Sequence, residues 1–167
     1  MAGAIETVLS ALVGSQVRFV VVGGVAVVMH GHPRFTADLD LVLDLTSENL
    51  LEAQRCLDTL GYAPRVPVKL ADLAFAEVRQ RLVTEKAMTV LSLTSARFRV
   101  LEIDVFVEPP FVFEEVWAEG EHVQLEHVAV PIVSVNRLIA MKRAAARPRD
   151  LEDIKALERL WSGDVDV

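Results

Sequence analysis

Two aspartates stand two residues apart in the run Arg34-Phe35-Thr36-Ala37-Asp38-Leu39-Asp40, and a third, Asp104, sits between Ile103 and Val105. Leu39, Leu41 and Leu43 alternate with these acids at strand periodicity, so Asp38 and Asp40 point to one face of a strand. Like charges that close repel, and their burial is costly without a counter-charge. A bound cation resolves the conflict, and oxygen-only ligands suit magnesium or manganese better than zinc. Asp104 is an odd solvent-facing choice within an apolar strand. If the two strands are neighbours, three carboxylates converge. Three carboxylates can hold two cations about 3.5–4 Å apart, the clamp of phosphoryl transfer. Gly23-Gly24 supplies a complementary part, because glycine lets the backbone approach a phosphate closely at a strand-to-helix junction.

Other residues carry two readings each. Arg34 is either a bidentate phosphate donor or the neutraliser of Asp38 or Asp40 when no metal is bound. Thr36 organises the turn before the acidic strand and is a nucleotide-binding candidate beside Arg34. Lys142 falls on the apolar line Val135, Leu138, Ile139 of a helix. Its stem either snorkels to solvent or its ammonium meets an anion at the acids' pocket. In the second case, exchange for Met keeps the packing, leaves the fold intact and removes nucleotide affinity or turnover. Asp150 and Asp153 read as cap and first turn of the last helix, with Arg149 as a partner for either. His30-x-His32 lacks a Cys or acid at zinc-ligand spacing and reads as a loop at the pocket rim.

The elements that must position these groups follow from periodicity. A helix over residues 4–13 ends near Gly14. Val17 to Val22 is a β-branched run that reads as a strand buried on both faces, and a short helix follows from Gly24 to His30. After the Asp38–Leu43 strand, Thr46-Ser47 starts a helix that runs to Gly61. Ala63 to Lys69 reads as a loop, Asp72 to Val83 as a helix, and Met88–Leu93 with Val100–Val107 as paired strands. Pro109-Pro110 ends the second of these. Val123–Leu125 and Val128–Ile132 add short strands, and helices cover Ser134–Ala146 and Asp150–Trp161. The expected fold is α/β (α+β): a mixed sheet flanked by helices with a helical C-terminal segment. Residues 1–167 read as one domain, with an αβ core to residue 110 and a mainly helical part from 111 to 167.

Composition fits a globular domain: 167 residues, 52% of them hydrophobic, with a net charge of −7. An acidic balance argues against a broad nucleic-acid-coating surface, although Arg143, Arg147 and Arg149 form a local basic cluster. The single cysteine, Cys56, lies in a helical core pattern, which fits a reducing cytoplasm. No signal peptide is read at the N-terminus, and the longest apolar stretch, Phe19 to Met29, is too short for a bilayer. A cytoplasmic protein without membrane association is expected.

The segment Val21-Val22-Gly23-Gly24-Val25-Ala26 through Arg34-x-Thr36-x-Asp38-Leu39-Asp40-Leu41 resembles the nucleotidyltransferase superfamily. More narrowly, it resembles the nucleotidyltransferase toxins of abortive-infection toxin–antitoxin systems. The tail is similar to that branch as well, in Leu138-Ile139-Ala140-Met141-Lys142 and Arg147-x-Arg149-Asp150-Leu151-x-Asp153-Ile154. The resemblance implies transfer of a nucleoside monophosphate from a nucleoside triphosphate, with Mg2+ or Mn2+ held by Asp38, Asp40 and Asp104. It implies that Asp104 helps to activate the acceptor hydroxyl, that Gly23 and Gly24 approach the phosphates, and that Lys142 reaches the triphosphate. The acceptor is an RNA end, a protein or a small molecule, and a cognate antitoxin is a further implied partner. The family's glycine pair is often followed by Ser or Thr. Val25 takes that place here, which implies weaker nucleotide affinity or an altered role. Two rival readings stay open: a non-catalytic module that binds a nucleotide or protein, and a metal-dependent phosphohydrolase.

Overall fold

A computed structural model describes residues 2–163. Helix α1 (Ala2–Gly14) leads into strand β1 (Phe19–Val22), and helix α2 (Gly23–Met29) follows with no intervening loop. Strand β2 (Asp38–Leu43) comes next, then helix α3 (Ser47–Thr59) and strand β3 (Tyr62–Pro64). A 3₁₀ turn (Leu70–Ala74) and helix α4 (Ala76–Lys86) lead to strands β4 (Val90–Ser95) and β5 (Glu102–Phe106). The C-terminal part holds helix α5 (Phe113–Glu119), strands β6 (His122–Gln124) and β7 (Ala129–Pro131), and helices α6 (Val135–Ala145) and α7 (Pro148–Ser162). Five strands form one mixed sheet in the order β1-β2-β5-β4-β3. Only β2 and β5 run parallel, and the other pairs are antiparallel.

The core explains why these segments settle as they do. All four residues of β1 are buried, as its continuous β-branched run predicts. Strand β1 ends the five-stranded sheet, yet its edge is covered. Val21 bridges to Ile132 in parallel, and the Val133 N–H donates to the Val21 carbonyl at 3.0 Å. Covering the edge removes a template for unwanted pairing. On β2 and β5, Leu39, Leu41, Ile103 and Val105 are fully buried on one face. The alternate residues Asp38, Asp40, Glu102, Asp104 and Phe106 lie on the other, half-buried or exposed. Cys56 is buried on α3. No helix among the described residues is long and apolar enough to cross a membrane.

Four segments differ from expectation, the first being helix α5 (Phe113–Glu119), where no element is expected. Tyr62–Pro64 forms an edge strand where a loop is expected, because the Tyr62 ring is buried and its hydroxyl donates to the Leu101 carbonyl at 3.1 Å. Pro64 is tolerated there because an edge strand can spare its missing N–H. The expected 72–83 helix is split at Phe75, whose backbone is extended (φ −90°, ψ 120°), so α4 begins later and ends later. The last helix starts at Pro148, with Asp150 in its first turn rather than at its cap.

Candidate active site

The β1–α2 junction brings the glycines to the acids. Gly23 adopts φ +66°, a left-handed conformation that disfavours residues with a side chain. A Cβ on Gly23 would lie 2.1 Å from Asp40 Oδ2. Backbone and carboxylate therefore share a space that only glycine leaves open. The Gly24 N–H donates to the Asp40 carboxylate from the start of α2. A Cβ on Gly24 would lie 2.7 Å from Thr36 Oγ1 and 2.8 Å from the Arg34 guanidinium.

Asp40 and Asp104 are direct partners in the parallel β2–β5 ladder, and Asp38 lies opposite Glu102. Direct partners in a ladder project to the same side, so Asp104 shares the face of Asp38 and Asp40. The electrostatics record this crowding. Burial first, then the charges of Asp104 and Asp38, push the Asp40 carboxyl up to about 6, against the Gly24 hydrogen bond and the Lys142 charge. Among the described residues, no three His, Cys, Asp or Glu side chains already stand close enough to enclose an ion. The donor set nevertheless suits a hard cation, being all oxygen with surplus negative charge centred on Asp40.

A raised carboxyl has a stability consequence of definite sign. Asp40 holds its proton more tightly in the fold than in the unfolded chain, so its ionisation opposes folding. That cost is absent below pH 4, grows from pH 4 to about 6, and is complete above. A shift from 3.8 to about 6 corresponds to an upper bound on the order of 3 kcal/mol. In EDTA, Asp40→Asn should melt higher than the wild type at pH 7.5, and the gap should close as pH falls to 4. Thermal melts across that range check it, and a gap independent of pH would refute it.

Lys142 is buried at 5% exposure. Its ammonium lies 2.7 Å from Asp153 Oδ2 and 3.3 Å from Asp150 Oδ1. It neither snorkels to solvent nor stands free. The same lysine lines a cavity of about 370 Å³ with Gly23, Asp40, Arg137, Arg147 and Asp150, floored by Phe106, Phe111 and Met141. Arg34 is not the neutraliser of Asp38 or Asp40. Its guanidinium bonds Asp153 Oδ2 at 3.0 Å, and its Nε lies 2.9 Å from Asp153 Oδ1. The Nε contact is ionic only, since its angle makes no hydrogen bond. Thr36 Oγ1 donates to the Asp38 carbonyl at 3.3 Å, within the turn before β2. Arg34 and Thr36 also line a separate apolar groove with Val25 and Phe35, while the Arg34 guanidinium shares Asp153 with Lys142. His30 Nε2 lies 2.8 Å from the Val133 carbonyl, which ties the end of α2 to the start of α6.

Asp150 and Asp153, expected as the cap and first turn of the last helix, belong instead to a buried charge cluster. Both are buried, at 3% and 1% exposure. Burial would raise the Asp150 carboxyl, but hydrogen bonds from Arg147 and Lys142 outweigh it and hold it below the usual carboxylate range. Arg147 and Arg34 take the partnerships expected of Arg149, which makes no ion pair among the described residues. The missed signal was the stripe: Asp150, Asp153, Ile154 and Leu157 share one buried face of α7.

The sequence matches the model of a family described as "Nucleotidyl transferase AbiEii toxin, Type IV TA system" over residues 7–166. No curated protein sequence matches the chain. Among solved structures, the lincomycin-bound lincosamide antibiotic adenylyltransferase LnuA aligns with a TM-score of 0.64 at 16% identity, over 96% of this chain and 98% of that one. The solution structure of antibiotic-resistance factor ANT(2'')-Ia aligns at 0.56 and 14% identity, over 92% and 80%. Its crystal structure with adenylyl-2''-tobramycin aligns at 0.55 and 14%, over 96% and 94%. At such identities the likeness is one of fold, and the shared fold is that of nucleotidyltransferases.

Proposed function

Because the chain belongs to the AbiEii nucleotidyl transferase toxin family, we propose that it transfers a nucleoside monophosphate from a nucleoside triphosphate to an acceptor hydroxyl, as the toxin of a toxin–antitoxin pair. The acceptor class is an RNA, a protein or a small molecule. The observation that carries the reading is the pairing of Asp40 with Asp104, beside a glycine turn that only a residue without a side chain could make.

Asp38, Asp40 and Asp104 would hold magnesium or manganese, which supplies the positive charge that offsets the triphosphate and the departing pyrophosphate. Gly23 and Gly24 keep the start of α2 bare, so that its N–H groups can face phosphate oxygens. Lys142 donates one N–H to Asp150 and pairs ionically with Asp153, and it offers a remaining N–H to the phosphates. Asp104 accepts the proton of the attacking hydroxyl. Phe106, Phe111 and Met141 add an apolar lining to the cavity beside these polar groups. On this reading the C-terminal helices belong to the catalytic unit, since α6 supplies Lys142 to the cavity that Asp40 also lines.

Val25 favours a second reading, a non-catalytic module that binds a nucleotide or a protein. It is buried and supplies no hydroxyl to a phosphate. Incubation with each α-labelled nucleoside triphosphate, magnesium and a cell-extract acceptor pool separates the two. Transfer of label with release of pyrophosphate is expected. Binding without transfer, for all nucleotides and with manganese substituted, would leave the module reading.

A further inference from the structure

Ser92 lies directly opposite Asp104 in the antiparallel β4–β5 pair. Its hydroxyl donates to Asp104 Oδ1 at 2.5 Å. Strand β4 alternates strictly. Leu91, Leu93 and Ser95 are buried on the core face, while Val90, Ser92 and Thr94 are half-buried on the side of the acids. Ser92 is also pinned through its backbone, since its carbonyl accepts from the Arg65 N–H at 3.0 Å. The Ser92 backbone cannot drift without moving two buried leucines. Serine is a poor choice for packing a half-buried strand beside valine and threonine. What it contributes here is a fixed hydroxyl aimed at one oxygen of the third acid.

We infer that Ser92 is a positioning residue for Asp104: it holds one carboxylate oxygen in place and leaves the other for the cation and the acceptor hydroxyl. This rests on the nucleotidyl-transfer reading. An aspartate side chain has two free torsions, and without a partner its carboxylate samples several orientations. Near Asp40 and Asp38, repulsion drives it away from the shared site. The Ser92 bond opposes that drift before any ligand arrives. Partners that orient a metal ligand in this way are worth about 10–100-fold in metal affinity or activity.

The test uses the full chain with Ser92→Ala and Ser92→Thr, each first shown by thermal melt to be folded. Mn2+ binding is measured by calorimetry or electron paramagnetic resonance, without nucleotide. Nucleotide transfer is measured alongside, as kcat and as KM for the nucleoside triphosphate. Ser92→Ala should weaken Mn2+ binding and lower kcat by about 10–100-fold, with little change in KM. Ser92→Thr keeps the hydroxyl and should restore both. Unchanged Mn2+ affinity in Ser92→Ala would overturn the inference. So would a Ser92→Thr variant as impaired as Ser92→Ala, because packing rather than the hydroxyl would then be at stake. A wild-type protein that binds Mn2+ but transfers no nucleotide would defeat the transfer reading alone, and the Mn2+ comparison would still decide Ser92. A wild-type protein that binds no Mn2+ would defeat both.

Discussion

Asp40→Asn should lower nucleotide transfer by three or more orders of magnitude while making the metal-free protein more stable at neutral pH. The two effects have one origin. Asp40 sits against the Gly23 backbone, within reach of the Gly24 N–H and directly across from Asp104. In the bare protein its charge is a liability, because burial and two neighbouring acids oppose ionisation. With a cation and a triphosphate in place, the same charge would hold the cation that offsets the developing phosphate charge. Asn matches the shape and removes the charge. A thousandfold loss corresponds to about 4 kcal/mol of transition-state stabilisation, within the range assigned to such electrostatic groups. A packing defect would lower activity and stability together, so opposite signs identify the charge as the cause. A variant that kept a tenth of wild-type turnover would remove Asp40 from the catalytic role.

Much of this arrangement was legible in the residues, and the limits have physical reasons. Alternation of Asp38, Leu39, Asp40 and Leu41 gives the facing of β2 from the two-residue period of a strand. The buried run Phe19–Val22 and the glycines after it mark the strand-to-helix turn. The register that sets Asp40 beside Asp104 is a different kind of fact. Sixty-odd residues separate the two, and which rungs align is decided by long-range packing, not local pattern. Ser92 was invisible for the same reason, since its role exists only once β4 lies against β5. Arg34 shows a further limit. Its nearest acids in sequence are Asp38 and Asp40, yet it bonds Asp153, because α7 folds back against the loop that follows α2. The split of the 72–83 helix at Phe75 came from a backbone choice that weak helical propensity did not foretell.

The same folding-back alters what Lys142→Met should do. From the sequence, methionine keeps the stem and removes only a charge aimed at nucleotide, so the variant should fold normally. The structure places that charge between Asp150 and Asp153, both buried. Removing it leaves two buried carboxylates with Arg34 and Arg147 as their remaining cations. Loss of one partner from a buried ion pair costs about 3–5 kcal/mol, because the other charge stays behind without its solvent. The two arginines still compensate in part, which puts the expectation near 3 kcal/mol. For a chain of this size that is a fall in melting temperature of about 6–12 °C. Adding Asp150→Asn should recover part of it, since one uncompensated charge goes and Arg34 still holds Asp153. The double variant then isolates the second role of Lys142. Folded at the assay temperature, it should still fail to transfer nucleotide, because no ammonium is left beside Asp40 to meet the phosphates. If Lys142→Met melts within about a degree of the wild type, the buried cluster is not held by this lysine. If the double variant recovers turnover as well as stability, Lys142 braces α6 against α7 and has no part in the chemistry.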